Sequence, residues 1–112
     1  MEITRGDQAP AYDAPGHFGM KALRLQGGPA SGLKDATVGL SHFELGGGAS
    51  RSASKADRVY VVLSGEITVT VGDRTETLGA LDSCFIPAGE ERAVENRSGS
   101  TVSMLVITRT KS

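Results

Sequence analysis

Few side chains in this sequence can transfer protons or act as nucleophiles: two histidines, two tyrosines and one cysteine stand out. His42 alternates with Val38 and Leu40, so the three side chains share one face of an extended strand. Because that face is apolar, we predict that it points into the protein and that His42 lines a pocket as an acid or base. A hydrogen-bonded histidine in the core or at its rim is the alternative.

The other histidine and the cysteine carry weaker signals. His17 stands in a segment rich in proline and glycine, which predicts a surface or interface position. Cys84 lies in an apolar strand with no histidine adjacent in sequence, so packing is favoured over nucleophilic chemistry. As the single cysteine, Cys84 cannot form an internal disulfide, which fits a reducing cytoplasm.

Composition limits the size of the protein and its partners. The chain has 112 residues and a formal net charge of −1, which predicts one domain and gives no electrostatic basis for binding nucleic acid or an anionic membrane. Aromatic residues make up 4% of the chain, too few for a base-stacking platform. No apolar run approaches the roughly 18 residues of a membrane span, and no signal-peptide pattern is present. We therefore expect a soluble, cytoplasmic protein.

The elements that position these side chains are short strands. Fifteen glycines favour turns over helices, and no helical periodicity is sustained. Apolar and polar residues alternate before and after Gly46–Gly48, which are expected to break the pattern, and the clearest hairpin turns at Gly72-Asp73. The spacing predicts an all-β fold, an antiparallel sandwich or barrel, with an extended N-terminal arm at 1–19 and the β domain at 20–112.

Two stretches match a known pattern of spaced residues. Six residues separate Arg58 from Gly65, and Pro87-Ala88-Gly89 is followed by Arg92 and then by Asn96 at the expected intervals. In order and in register, these residues resemble the two signature motifs of the cupin superfamily, in particular its small single-domain, cupin_2-like members. The resemblance implies a single antiparallel β-barrel of the jelly-roll type, a homodimer and a structural role for Asn96.

The resemblance also implies that the metal-ligand positions are replaced. Where the cupin motifs place histidines and a glutamate, this chain has Ser52, Ser54, Arg58 and Arg92. Divalent cations are held by neutral imidazole and carboxylate groups, whereas a guanidinium stays protonated and repels a cation. We therefore expect no metal and no other cofactor at this site.

In a cupin barrel those positions converge on the barrel mouth, so the resemblance places two cations there. Buried arginines are costly unless paired, and a guanidinium forms bidentate hydrogen bonds with carboxylate or phosphate. We expect Arg58 and Arg92 to bind a small organic anion such as a carboxylate, with Ser52 and Ser54 in the ligand-binding loop. Ion pairs with internal carboxylates are the alternative, formed with Glu44, Asp82, Glu90 or Glu91.

Three functions are open at this point. The first is a metal-independent pocket for a small organic anion, as in an isomerase, lyase or cyclase, with the arginines stabilising negative charge and His42 or Tyr60 moving the proton. The second is a non-enzymatic small-molecule binding protein or sensor. The third is a metalloenzyme with relocated ligands, although the candidate donors show no ligand spacing: His17, His42, Glu44 and Cys84.

Overall fold

A computed structural model describes residues 1–109, which form eight antiparallel strands. They are β1 (His17–Gln26), β2 (Ala36–Ser52), β3 (Arg58–Ser64), β4 (Ile67–Val71), β5 (Arg74–Leu78), β6 (Ser83–Ile86), β7 (Arg92–Glu95) and β8 (Val102–Arg109). The described residues contain no helix, and therefore none that could cross a membrane. The predicted all-β fold, a single antiparallel barrel of the cupin type, is confirmed.

The strands form one curved sheet that nearly closes on itself. Its order is β5-β4-β7-β2-β8-β3-β6, and β1 pairs with β2 outside this path. The end strands β5 and β6 line a shared groove of about 460 Å³, which is the open seam of the barrel. Closure leaves the inner faces of the strands packed against one another and the mouth of the barrel accessible.

Strand β2 runs through both halves of the barrel. It pairs with β8 from Ala36 to Phe43 and with β7 from Gly48 to Ser52. The prediction that the glycines interrupt the strand is wrong, because they let it change partners. A Cβ on Gly48 would lie 2.1 Å from the carbonyl oxygen of Val94, so only glycine permits this approach. The continued strand carries its last residues to the barrel mouth.

The hairpin predicted from alternation is present. Strands β4 and β5 pair with Val71 opposite Arg74, and Gly72 takes a φ of 60° in the two-residue turn. On one face, the hydroxyls of Thr70 and Thr75 lie 3.1 Å apart across the strands. On the other face, Ile67 and Val69 are buried. This alternation sets the register of the hairpin.

The core fills the inside of the barrel below its mouth. Its most buried members come from β2, β3 and β8, and Phe43, Val62 and Met104 each expose 1% or less of their surface. Burying a side chain of this size contributes roughly 1.5–3 kcal/mol. Tyr60 belongs to the same cluster, so the upper edge of the core is also the floor of the mouth.

The outer surface of β2, β3 and β8 is apolar as well. Cross-strand partners point to the same side of a sheet, so the register places six half-buried aliphatic side chains together on the outside. This outer patch consists of Val38, Leu40, Val59, Val61, Leu105 and Ile107.

The N-terminal arm lies along β1 of its own chain. The backbone N–H of Tyr12 donates to the carbonyl of Ala22 at 3.0 Å, and that of Arg24 donates to Pro10 at 2.8 Å. The Arg24 guanidinium also lies 3.9 Å from the centre of the Tyr12 ring. The arm is thus held by the sheet of its own chain, and the homodimer stays a prediction.

Candidate functional site

A cavity of about 780 Å³ opens at the mouth of the barrel. Its walls come from the arm, the start of β1, the inward face of β2, and strands β3, β7 and β8. Phe43, Val94 and Met104 form apolar parts of the lining. Its charged and polar parts include both arginines at the replaced metal-ligand positions, Arg58 and Arg92. The expected convergence of these two cations is therefore seen in the geometry.

Arg92 begins β7 and is 2% exposed. Its Nε donates to the hydroxyl of Tyr60 at 2.7 Å, and its Nη1 donates to the carbonyl of Ser50 at 3.0 Å and to Oγ of Ser52 at 3.2 Å. All three acceptors are neutral. They fix the guanidinium in place but leave its positive charge uncompensated.

Arg58 begins β3 and has a different environment. Its Nε and Nη2 are buried and have no hydrogen-bond partner within the described chain. Burial lowers the pKa of Arg58, nearby Tyr60 opposes this, and the positive charge of Arg92 lowers the pKa further. The group remains protonated at neutral pH, because an arginine does not deprotonate in proteins. Arg58 therefore brings a positive charge to the cavity lining, and two of its donors are buried without a partner in the described chain.

Internal carboxylates do not neutralise these arginines in the part of the chain that the structure describes. Between residues 1 and 109, the ion pairs within 4.0 Å are Arg74–Glu76, Arg97–Glu95 and Arg109–Asp57, and none includes Arg58 or Arg92. The alternative of pairing with Glu44, Asp82, Glu90 or Glu91 is therefore wrong for these residues. Asp13 is the one carboxylate among the described residues that line the cavity.

Tyr60 points into the same volume from β3 and is 2% exposed. Its hydroxyl oxygen accepts the hydrogen bond from Arg92, so its own proton is directed elsewhere. The hydroxyl can therefore donate to a molecule in the cavity while the arginine holds the oxygen in place. This geometry suits the role expected of Tyr60.

Ser52 and Ser54 both line the cavity, as expected of the ligand-binding loop. Ser52 Oγ is already an acceptor for Arg92. Ser54 Oγ accepts the backbone N–H of Ala56 at 3.1 Å, and the Ser54 carbonyl accepts from Gly89 at 2.8 Å. These bonds show that Ser54 shapes the loop between β2 and β3 and connects it to the Pro87-Ala88-Gly89 turn.

His42 lies on the opposite face of β2 from the cavity. The lining face is that of Ser41 and Phe43, and His42 Nδ1 is 2.8 Å from Ser103 Oγ on the neighbouring strand. The prediction that the face of His42 points inward is wrong, because Val38 and Leu40 on that face belong to the apolar outer patch. His42 is instead a half-buried, hydrogen-bonded histidine on the outside of the barrel, which is nearer to the alternative than to a pocket-lining role.

His17 enters the cavity although its sequence environment suggested a surface position. It is the first residue of β1, and pairing with Ala49 of β2 holds it at the mouth. Burial lowers the pKa of His17, a hydrogen bond with Pro15 opposes this, and the charges of Arg92 and Arg58 lower the pKa further. The turn signal Pro15-Gly16 was the one local hint that a strand starts here.

Metal donors are not gathered in the described part of the chain. Between residues 1 and 109, no group of three or more His, Cys, Asp or Glu side chains could hold a metal ion. His17 lines the mouth, His42 is on the outside of the barrel and Cys84 lines the seam groove, where burial raises the pKa of its thiol. At the cupin ligand positions, two serines and two guanidinium groups do not fit a divalent cation.

Asn96 is buried and fully engaged in structural bonds. Its Nδ2 donates to the carbonyls of Phe43, Glu44 and Ser100 at 2.8–3.2 Å, while its Oδ1 accepts from Ser98. The side chain thus ties β2 to the turn that precedes β8. This agrees with the structural role implied by the cupin motif.

The nearly closed antiparallel barrel, with the motif residues Gly65, Pro87 and Gly89 in its turns and a polar mouth at the motif positions, defines the cupin class. The sequence model of the family described as "Cupin domain" matches residues 39–108, and the chain belongs to this family. The resemblance predicted from the two motifs is thereby confirmed.

Individual relatives give a range of activities. A Mycobacterium tuberculosis protein named as a beta-D-galactosidase is 42% identical over 106 residues, covering 95% of this chain and 91% of the relative. The polyketide cyclase RemF from Streptomyces resistomycificus has a TM-score of 0.86 at 22% identity, over 99% of this chain and 80% of RemF. An RmlC-like cupin from Shewanella frigidimarina has a TM-score of 0.80 at 20% identity, over 97% and 90% of the two chains. The two structural likenesses show the fold.

Proposed function

We propose that the barrel mouth binds a small organic anion, such as a carboxylate or phenolate, without a metal ion. The observation that carries this proposal is the environment of Arg58, whose Nε and Nη2 are buried without a hydrogen-bond partner within residues 1–109. An anion placed there receives charge-assisted hydrogen bonds, each contributing roughly 1.5–3 kcal/mol. The occupant would supply the partner that the described chain does not.

The two arginines have different roles in this proposal. Arg92 is held by Tyr60, Ser50 and Ser52, so it provides a fixed positive field with little freedom to follow a ligand. Arg58 provides the direct contact. Tyr60 adds a hydroxyl proton that can be donated to the same ligand.

In its enzymatic form, the site would catalyse an isomerase, lyase or cyclase reaction on a substrate that acquires negative charge. Guanidinium groups at the edge of a partly buried pocket stabilise such charge as it develops. A non-enzymatic small-molecule binding protein or sensor would use the same contacts without turnover. Proton transfer therefore separates these two forms, and binding alone does not.

Glycoside hydrolysis is the second candidate, favoured by the 42% identity with a protein named as a beta-D-galactosidase. Most glycosidases use two carboxyl groups that flank the scissile bond. Within the described cavity lining, only Asp13 carries a carboxylate. We rank this candidate second for that reason. Glycoside hydrolysis would become the first candidate if the protein released nitrophenol from 4-nitrophenyl β-D-galactoside and Asp13→Asn lost this activity.

The proposal is tested by thermal unfolding in the presence of benzoate, 4-nitrophenolate and inorganic phosphate. At about 100 times its dissociation constant, a bound anion stabilises the fold by roughly 2.7 kcal/mol. For a domain of this size, the expected rise in melting temperature is on the order of 10 °C. Arg58→Gln should abolish the rise. Arg97→Gln is the matched control, because Arg97 is an exposed arginine paired with Glu95.

The result that would overturn the proposal is equally specific. If none of the three anions raises the melting temperature, or if the rise persists in Arg58→Gln, the buried guanidinium is not an anion site. A rise that is lost equally in Arg97→Gln would indicate nonspecific ion binding instead.

A further inference from the structure

The His17 ring is oriented by a backbone carbonyl close to it in sequence. Its Nδ1 lies 3.0 Å from the carbonyl oxygen of Pro15, two residues earlier in the chain. A carbonyl oxygen can only accept a hydrogen bond, so Nδ1 carries the proton in this arrangement. In the neutral ring, Nε2 then has a free lone pair. No hydrogen bond to Nε2 is formed by the described residues.

The surroundings of His17 favour the neutral ring. The ring is partly buried at the cavity wall, and the cations Arg58 and Arg92 both oppose its protonation. The other titratable side chains that line the cavity are Tyr12, Asp13, Arg24, Arg51 and Tyr60. Arginines outnumber the single carboxylate in this lining. His17 is therefore a base at neutral pH, and not a further cation.

We propose that Nε2 of His17 is the proton acceptor of the barrel-mouth site, and that the site takes weakly acidic substrates, namely phenols, enols or carbon acids, in their neutral form. The O–H or C–H bond of the substrate breaks, and the proton forms a new N–H bond at Nε2. The electron pair stays on the substrate, whose negative charge lies beside Arg58. This inference rests on the proposed anion site and assigns its substrate class and its base.

The proposal also explains how a neutral histidine and two arginines work together. Before proton transfer, the arginines keep His17 unprotonated and ready to accept. After transfer, the new substrate anion lies among the cations and offsets their repulsion of the imidazolium. The same charges thus favour the base in the free site and the ion pair in the occupied one.

The first test is nitrogen NMR of the full chain labelled at histidine. The protein has two histidines, so His42→Gln assigns both signals. The expected spectrum shows His17 with a protonated Nδ1 and an unprotonated Nε2, titrating below the ordinary value of about 6.5. Addition of benzoate should raise the pKa of His17. A protonated Nε2 at neutral pH would overturn the proposal.

The second test is turnover of 5-nitrobenzisoxazole, which reports a base beside a stabilised phenolate. The base removes the ring C–H, its electron pair forms the nitrile, and the N–O bond breaks to leave a coloured nitrophenolate. A positioned base contributes about 10²–10⁴-fold, so His17→Gln should lose about a hundredfold in rate or more. The matched control, His42→Gln, should keep the wild-type rate. The elimination rate should rise with pH around the pKa of His17 measured by NMR. This rise should be absent from the pH profile of His17→Gln.

These tests separate the two proposals. If benzoate binds through Arg58 but His17→Gln leaves both the elimination rate and its pH profile unchanged, the base assignment is wrong and the anion site stands. If no anion binds through Arg58 while His17-dependent elimination persists, the proposed function is wrong and the base stands. Unaltered thermal unfolding of His17→Gln shows that any loss is not a loss of the fold.

Discussion

The same substitution at the two inward arginines should change stability in opposite directions. Arg58→Met replaces a half-buried guanidinium, two of whose donors are buried and unpartnered, by an unbranched apolar side chain that can occupy much of the same space. Leaving a buried polar group unsatisfied costs roughly 1–3 kcal/mol. We therefore expect Arg58→Met to stabilise the ligand-free protein by about 1–3 kcal/mol.

Arg92→Met should destabilise the protein. It removes three hydrogen bonds from a charged donor and leaves the Tyr60 hydroxyl and the Ser50 carbonyl without that partner. Bonds to a charged group contribute roughly 1.5–3 kcal/mol each and are not fully additive. A loss of about 3 kcal/mol or more is expected. The free energies of unfolding of Arg58→Met and Arg92→Met should therefore differ by roughly 4 kcal/mol or more.

Urea unfolding measures this difference directly. Both variants are expected to keep the slope of the wild-type transition and to move its midpoint, upward for Arg58→Met and downward for Arg92→Met. The melting temperature should follow by roughly 4 °C or more per kcal/mol. If Arg58→Met is destabilised as strongly as Arg92→Met, then Arg58 has a stabilising partner in solution and its guanidinium is not free for a ligand.

Three further predictions address assembly, metal content and pH. Leu105→Arg, in the outer patch, should convert the expected homodimer to a monomer in light scattering and leave anion binding intact, whereas a wild-type monomer would refute the dimer. Elemental analysis after dialysis should find well under one transition metal ion per chain, and a retained stoichiometric ion would refute metal independence. Because the pKa of folded His17 is lowered, the unfolded chain binds more protons just below pH 6.5. Stability should therefore fall as the pH drops from 6.5 towards the folded pKa, and His17→Gln should remove this part of the fall.

Local patterns predicted the fold because its elements are signalled over short distances. The hairpin of β4 and β5 follows from alternation and one glycine turn, and the positions of Arg58 and Arg92 follow from fixed spacing to Gly65 and Pro87. Each of these relations lies within about ten residues of sequence. In a barrel whose strands alternate faces, such spacing is enough to place a side chain inward.

The parts that were missed depend on pairing across long distances. His17 reaches the mouth because β1 pairs with β2 some 30 residues later, with Ala49 opposite it, and no local pattern encodes that register. His42 was assigned to the wrong face because Val38 and Leu40 belong to the outer patch, while the inward face contains the small residues Gly39 and Ser41. The apolar face of a strand therefore does not identify its inside where the outer surface of the sheet also carries an apolar patch.

The exchange of residues at the motif positions inverts the electrostatics of an otherwise intact barrel mouth. The cupin motifs place a carboxylate at the position of Arg58 and an imidazole at that of Arg92, a set that attracts a cation. Two guanidinium groups on the same strands make the same convergent geometry positive, which is the basis of the proposed anion site. The Arg92 network with Tyr60 and Ser52 shows how such a charge is kept in place without a carboxylate. Since no described carboxylate lies within 4.0 Å of the Arg58 guanidinium, we expect its unbalanced charge to cost stability in the free protein and the proposed anion to recover it.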